Sequence, residues 1–439
     1  MADVQPFRGV TYDPERVDLG AVLSPPYDVI SPEQQEAYYQ RDPHNVVRIV
    51  LNREEADGRY AAAAKDLSTW LAEGVLRQDE HPALYVHRQT FASPDGGGRI
   101  SRTGLIAAVR AEPWEKGKIK PHEHTMPGPK EDRLKLLQAT GADTEPIWVF
   151  HPDISDEMAT RLKRIVKTKP DLAADFVAVE ASGQEAEPER HELWRVEGRE
   201  MKDLAVIASE MQLYIADGHH RYETALHHAR EARQGRDDPS RFKLMLISQL
   251  QDPGLLVLPT HRLVRVREGF SLGEALGTLS QRGWKWVPAV DTAEMLDLLT
   301  AAPGPNNVGF GLYAAGRRSY WEGPVTGPEV EALPPSVAAL DVALIHHGIL
   351  APLLGVGEDE LAAGELVAYA RDAGEVISRV DSGKFDFGML LRAPTLAQIQ
   401  AVADAGESMP QKSTYFWPKP ASGLVMALQT PESRASPAA

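Results

Sequence analysis

The 439-residue sequence contains no cysteine, so disulfide bonds, thiolate metal ligands and a cysteine nucleophile are excluded together. It also lacks the roughly 18 consecutive apolar residues that a membrane-spanning helix needs. Its opening, MADVQPFRGVTYDPERVDLG, has neither the basic segment nor the apolar stretch of a secretory leader. A cytoplasmic location with no membrane partner is the expectation. Positive charge is short as well: 47 Lys and Arg stand against 63 Asp and Glu, a formal net charge of -16. The surface as a whole therefore repels nucleic acid, and an anionic ligand must find a local positive site. What is present, 43% hydrophobic and 25% charged residues, has the proportions of a packed soluble chain. The length exceeds the roughly 250–300 residues at which single cores stop growing, which predicts two or three domains.

Along the first hundred residues, short apolar runs alternate with turn chemistry, ending in two period-two stretches around Pro94-Asp95-Gly96-Gly97-Gly98. That is a hairpin signature, with glycine where positive φ is needed. From Glu112 to about Val264 strand-like segments (PIWVFHP, HELWRVE, LYIA) alternate with helical patterns, predicting a mixed α/β domain. Beyond that come a helix in SLGEALGTLSQRG, a strand in WKWVPAV, a helix in TAEMLDLLTAA and a hairpin in VGFGLYAAGRRSYWEG. The expected organisation is an N-terminal mixed α/β segment over 1–111, a catalytic domain over 112–265 and a C-terminal α+β domain over 266–430. A tail over 431–439 is too poor in apolar residues to order itself.

The densest chemistry lies in LYIADGHHRYETALHHAREAR, residues 213–233. LYIA reads as a buried strand and Asp217-Gly218 as a turn and N-cap. Tyr222, Ala225, Leu226 and Ala229 then recur at helical spacing. His219, His220 and Arg221 thus fall in the first turn of a helix, where free amides and the macrodipole attract anions. Gly218 admits a ligand close to the backbone. The direct reading is a phosphate site, with Arg221 a ligand-facing residue rather than a core one. A competing reading takes His219, Glu223 and His227, spaced i, i+4, i+8, as metal ligands.

A second constellation is KIKPHEHTMPGPKEDRLKLLQATGADTEPIWV, residues 118–149. Lys116, Lys118 and Lys120 lead into His122-Glu123-His124, and Pro127 and Pro129 are expected to hold the segment out of a helix until KEDRLKLLQATG. A carboxylate among histidines and lysines suits a general base, which makes Glu123 the candidate. His122 and His124 are candidates for substrate binding.

Together, PHEHTMPGPKEDRLKLLQATGADTEPIWV and LYIADGHHRYETAL resemble the ParB/sulfiredoxin-like fold and, within it, free serine kinases, over roughly residues 112–235. The full chain also resembles a conserved prokaryotic family of unknown function. The kinase resemblance implies that Glu123 is the catalytic base and that Asp217, Gly218, His219, His220 and Arg221 hold nucleotide phosphates. Asp217 would also face Mg²⁺. About sixty residues separate the PIWV strand from the Asp-Gly-His-His-Arg turn, far more than in those kinases. The implied activity is transfer of a phosphoryl group from ATP or ADP to the hydroxyl of a small metabolite, with L-serine the best single acceptor. The implied partners are nucleotide and small-molecule substrate, with no nucleic acid; a homodimer is left open. Two other classes remain: a metal-dependent phosphatase or hydrolase using the histidines, and a nucleotide-operated ParB-like binding protein.

Three further segments carry weaker signals. MPQKSTYFWPKP lacks the glycine loop of a Walker motif. It reads either as a flap placing Lys412 on a phosphate or as a structural plug of Tyr415, Phe416 and Trp417. SPPYDVIS reads as a rigid turn, with Tyr27 and Asp28 as alternative substrate or Mg²⁺ contacts. His346 and His347 have the spacing of helix-surface or packed residues.

Overall fold

In the computed structural model of the protein, which describes residues 2–123, 125, 127–152, 155–180, 183–231, 235, 238–301, 303–304, 307–354 and 366–430, the strands Leu84–Ala92 and Arg99–Arg110 pair antiparallel, ending at Ala92↔Arg99. This is the hairpin expected at Pro94–Gly98, and Gly96 and Gly98 adopt φ of 75° and 97°, a region that side chains with a β-carbon avoid. Residues 431–439 and His124 lie outside the described residues.

The chain is mixed α/β and divides into two compact units. The first comprises 1–121, 125–256 and the chain from Pro418 on; the second comprises His122 and Glu123 with Val257–Trp417. At the centre of the first lies a nine-stranded sheet. Its path runs from Ile119–Lys120 through Leu213–Asp217, Ile147–His151, Phe242–Gln249, Arg99–Arg110, Leu84–Ala92 and Glu189–Val196 to Leu172–Phe176, and the ninth strand, Val4–Gln5, pairs with Arg99–Arg110 off this path. Leu246↔Trp148 and Leu213↔Ile119 mark its parallel pairs; the other neighbours along the path are antiparallel. Residues 1–111 and 112–265 therefore contribute strands to one sheet.

Alternation decides which side chains enter this core. Leu105, Ala107 and Val109 on one strand, Met245 and Ile247 on the next, and Ile147 and Val149 beyond share a face, as the period of two requires. Leu204 and Ala208 of helix Gly198–Glu210, Met158 and Leu162 of Glu157–Ile165, and Tyr222 and Leu226 of His219–Glu231 cover it. A four-stranded sheet, in the order Leu76–Gln78, Gly9–Tyr12, Met426–Leu428, Ala142–Asp143, belongs to the same unit.

The segment after His124 departs from expectation. The helix there is Pro127–Thr140, so Pro127 and Pro129 lie in its first turn instead of delaying it. Their missing amide donors cost nothing at that place, because the first-turn N–H groups have no intrahelical acceptor.

The second unit is built on a six-stranded sheet ordered Lys285–Ala289, Arg317–Pro324, Asn307–Ala314, Phe387–Leu390, His261–Val264, Val367–Ala370. Helices Leu272–Gln281 and Thr292–Thr300 occupy the expected helical patterns and Ala373–Asp381 is a further helix, the three capped by side chains at Ser271, Asp291 and Asp372.

Candidate functional site

The Asp-Gly-His-His-Arg turn lies where strand Leu213–Asp217 meets helix His219–Glu231. The strand is flanked by Ile119–Lys120 and Ile147–His151, and its register shifts between Ile215 and Asp217. Gly218 takes φ of 99°, and a β-carbon there would stand 3.2 Å from the Arg221 guanidinium. The turn needs glycine for both reasons. Tyr222, Ala225, Leu226 and Ala229 are all buried, as their spacing predicts.

Arg221 is not at the surface: it is 6% exposed. One guanidinium nitrogen donates to the Pro146 carbonyl at 2.6 Å and another to Asp217 Oδ2. Burial works to lower its pKa, but the carboxylates of Asp217, Glu145 and Asp28 outweigh this and hold it above the ordinary arginine value. The expected ligand-facing arginine is thus a packed one, fixed by the residue four positions earlier.

Asp217 has a second partner that sequence order conceals. Its Oδ1 lies 2.5 Å from Lys419 Nζ, and the same ammonium donates to Asp28 Oδ2 at 2.8 Å. The lysine side chain is 9% exposed, that of Asp217 13% and that of Asp28 34%. Asp28 belongs to the SPPYD turn, whose Tyr27 amide donates to Glu145 Oε1 at 2.9 Å. Arg133 lies 3.8 Å over the Tyr27 ring. Burial pushes the Tyr27 phenol up to about 12, partly offset by Arg133. Behind the turn, a cavity of about 30 Å³ is lined by Arg133, Thr144, Glu145, Arg221, Thr224 and Lys243 among others, enough for one or two waters.

His219 is buried and His220 half-buried. The proposed trio of His219, Glu223 and His227 does not form a metal centre: no group of three potential ligands occurs among the described residues. Glu223 is instead engaged by Lys130 at 2.8 Å and Thr125 at 2.6 Å. Burial tends to raise its pKa, but these two hydrogen bonds more than compensate and hold it below the usual value.

In the other unit, Glu123 forms an isolated parallel bridge with Met409, and the Met409 amide donates to the His122 carbonyl at 2.8 Å. Glu123 Oε1 accepts from the backbone amide of Lys412 at 3.0 Å. Lys412 is exposed and takes φ of 55°, so its defined contact here is through its backbone rather than its ammonium. His122 is 1% exposed, with Nε2 3.1 Å from Thr414 Oγ1. Phe416 and Ser413 are buried, while Tyr415 and Trp417 are half-buried. Burial pulls Arg262 down to about 10, opposed by Tyr369 and Glu123. His346 is packed, not on the surface, and burial brings it down to about 4.

Sequence reasoning thus singled out the turn, Glu123 and Asp28, and missed Lys419. The only signal for Lys419 was its place in MPQKSTYFWPKP, where attention falls on Lys412.

A family model described as a protein of unknown function, DUF1015, matches residues 4–343. No curated protein matches. Among solved structures, a conserved hypothetical protein from Pyrococcus furiosus is similar at 12% identity and TM-score 0.34, over 71% of this chain and 90% of that one. A free serine kinase in complex with AMP is similar at 13% identity and TM-score 0.35, over 71% and 86%. SbnI with a C-terminal truncation, from Staphylococcus aureus, is similar at 11% identity and TM-score 0.33, over 72% and 84%. At these TM-scores the likenesses are too distant to assign an activity.

Proposed function

The chain belongs to the DUF1015 family of proteins of unknown function, and we propose that it is a nucleotide-dependent phosphotransferase acting on the hydroxyl of a small metabolite, with free L-serine the expected acceptor and O-phosphoserine the product. The observation that carries this reading is the Asp-Gly-His-His-Arg turn, set between a strand end and a helix N-terminus with Arg221 fixed on Asp217. Its supporting context is the motif resemblance to free serine kinases, which also supplies the role of Glu123.

Phosphoryl transfer asks a protein mainly for positioning and charge neutralisation. First-turn amides, His219 and His220 would contact the phosphates of ATP or ADP, with Arg221 fixing the Asp217 side of the turn, and Gly218 would let the backbone approach them. The acceptor hydroxyl oxygen attacks the terminal phosphorus, the bond to the leaving phosphate oxygen breaks, and the hydroxyl proton passes to the Glu123 carboxylate. Its Lys412 N–H contact would orient that carboxylate, with His122 the neighbouring candidate for binding the acceptor. Mg²⁺ bound with the nucleotide would neutralise the phosphate oxygens. Asp217, already paired with Arg221 and Lys419, is the carboxylate that would face it.

The test is direct. The protein is incubated with Mg²⁺, ATP or ADP and a panel of amino acids and polyols, and new phosphoesters are followed by phosphorus NMR. O-phosphoserine is the expected signal; release of inorganic phosphate alone, whatever the acceptor, would assign hydrolysis instead.

A further inference from the structure

Lys419 and Arg221 bring two cations to the start of helix His219–Glu231, both on the carboxylate of Asp217. Positive charge is the wrong sign for that end of a helix, where the macrodipole is itself positive. Asp217 and Asp28 offset it, but a buried ion pair of this kind contributes little net stability, since desolvation cancels most of the attraction. A lysine held there nine-tenths buried is better explained by an anion it meets. The two partners are unequal: Asp217 is 13% exposed and is locked by Arg221, whereas Asp28 is 34% exposed. Lys412, the lysine singled out by the sequence, is by contrast exposed, with its amide on Glu123.

We propose that Lys419 is the phosphate-contacting lysine of the Asp217–Arg221 turn, and that Asp28 holds its ammonium until a nucleoside di- or triphosphate takes it. This rests on the nucleotide reading above and adds the residue that neutralises the phosphates. Asp28 then competes with the ligand: removing its charge strengthens phosphate binding, while removing the lysine weakens it. The effect grows with the number of phosphates and vanishes for the bare nucleoside, a dependence that a purely structural ion pair would not produce.

The full chain is titrated calorimetrically with adenosine, AMP and ADP. Wild type is compared with Lys419→Met, Asp28→Asn and the double variant, which leaves no unbalanced charge if the single lysine variant fails to fold. Expected are a roughly 10–100-fold loss of ADP affinity in Lys419→Met, a gain of several-fold in Asp28→Asn, and unchanged adenosine affinity in both. An ADP-to-adenosine affinity ratio equal to wild type in Lys419→Met, or in the double variant where that one does not fold, overturns the role of Lys419 and leaves the nucleotide reading standing. Wild-type protein that binds neither ADP nor ATP at millimolar concentration removes the nucleotide reading, and the role of Lys419 with it.

Discussion

Glu123 and Arg221 show how differently two candidate residues respond to the same kind of substitution. For Glu123, Gln keeps the side-chain oxygen that accepts from the Lys412 amide and removes only the charge. A base role then predicts a kcat loss of roughly 10²–10⁴, or ~3–5 kcal/mol of barrier, with nucleotide affinity nearly constant. Steady-state kinetics on the acceptor found by phosphorus NMR checks this, and turnover within about twofold of wild type would remove Glu123 from the chemistry. Arg221 was legible as a functional type but not as a buried one. Its 6% exposure and its bonds to Pro146 and Asp217 mean that Arg221→Ala removes one of the two cations on a largely buried carboxylate, leaving Lys419 as the other. The cost expected is about 3 kcal/mol of stability, on top of weakened nucleotide binding, read from denaturant melts. A stability change below roughly 0.5 kcal/mol would place the guanidinium on the surface after all. The partner Lys419 could not be read from sequence, because a contact across 391 positions leaves no local pattern.

At the scale of the element, the sequence was most legible where period and turn chemistry agree. The Pro94–Gly98 hairpin and helix His219–Glu231 satisfy both. Pro127 and Pro129 misled because proline both stops helices and starts them, and only the acceptors of the neighbouring amides distinguish the two. The turn itself permits a sharper test. Gly218→Ala puts a β-carbon at φ of 99° and 3.2 Å from the Arg221 guanidinium, so the variant should lose about 1–3 kcal/mol of stability and shift the arginine from Asp217. Nucleotide affinity should fall with it, whereas Ala substituted at Gly96, in the exposed hairpin loop, should leave affinity intact. Equal nucleotide affinity in Gly218→Ala and wild type, by calorimetry, would show that close backbone approach at the turn is not required.

The whole molecule hides its organisation from a left-to-right reading because the chain leaves one unit and returns to it. Strand Met426–Leu428 closes a four-stranded sheet with Gly9–Tyr12 and Ala142–Asp143, and Lys419 returns on the same segment, after the chain has built the six-stranded sheet. Burial across both units also sets the response to acid. His87 is held well below its ordinary pKa by burial, with His191 and Arg102 adding to the effect. Burial takes His261 to about 4, opposed by Asp372 and assisted by Arg262. His346 falls to about 4 through burial, His347 and Arg262. Each of these rings is neutral when folded and takes up a proton on unfolding once pH falls below about 6.5, so the unfolded state binds more protons and stability declines as pH drops from about 6.5 toward 4. The bonds agree with the sign: His261 Nδ1 accepts from the Leu391 amide at 3.1 Å, an acceptor that protonation abolishes. Between pH 7 and 5 each histidine should cost its unit on the order of 1–2 kcal/mol. Relief of self-repulsion from the net charge of -16 contributes little in that window, because most carboxylates titrate nearer pH 4. Urea unfolding at pH 7 and pH 5 should therefore show lower midpoints at pH 5, with His261→Asn reducing the drop in the transition of the 257–417 unit. Midpoints that hold or rise on acidification would mean that these histidines are already protonated, or solvated, in the folded protein.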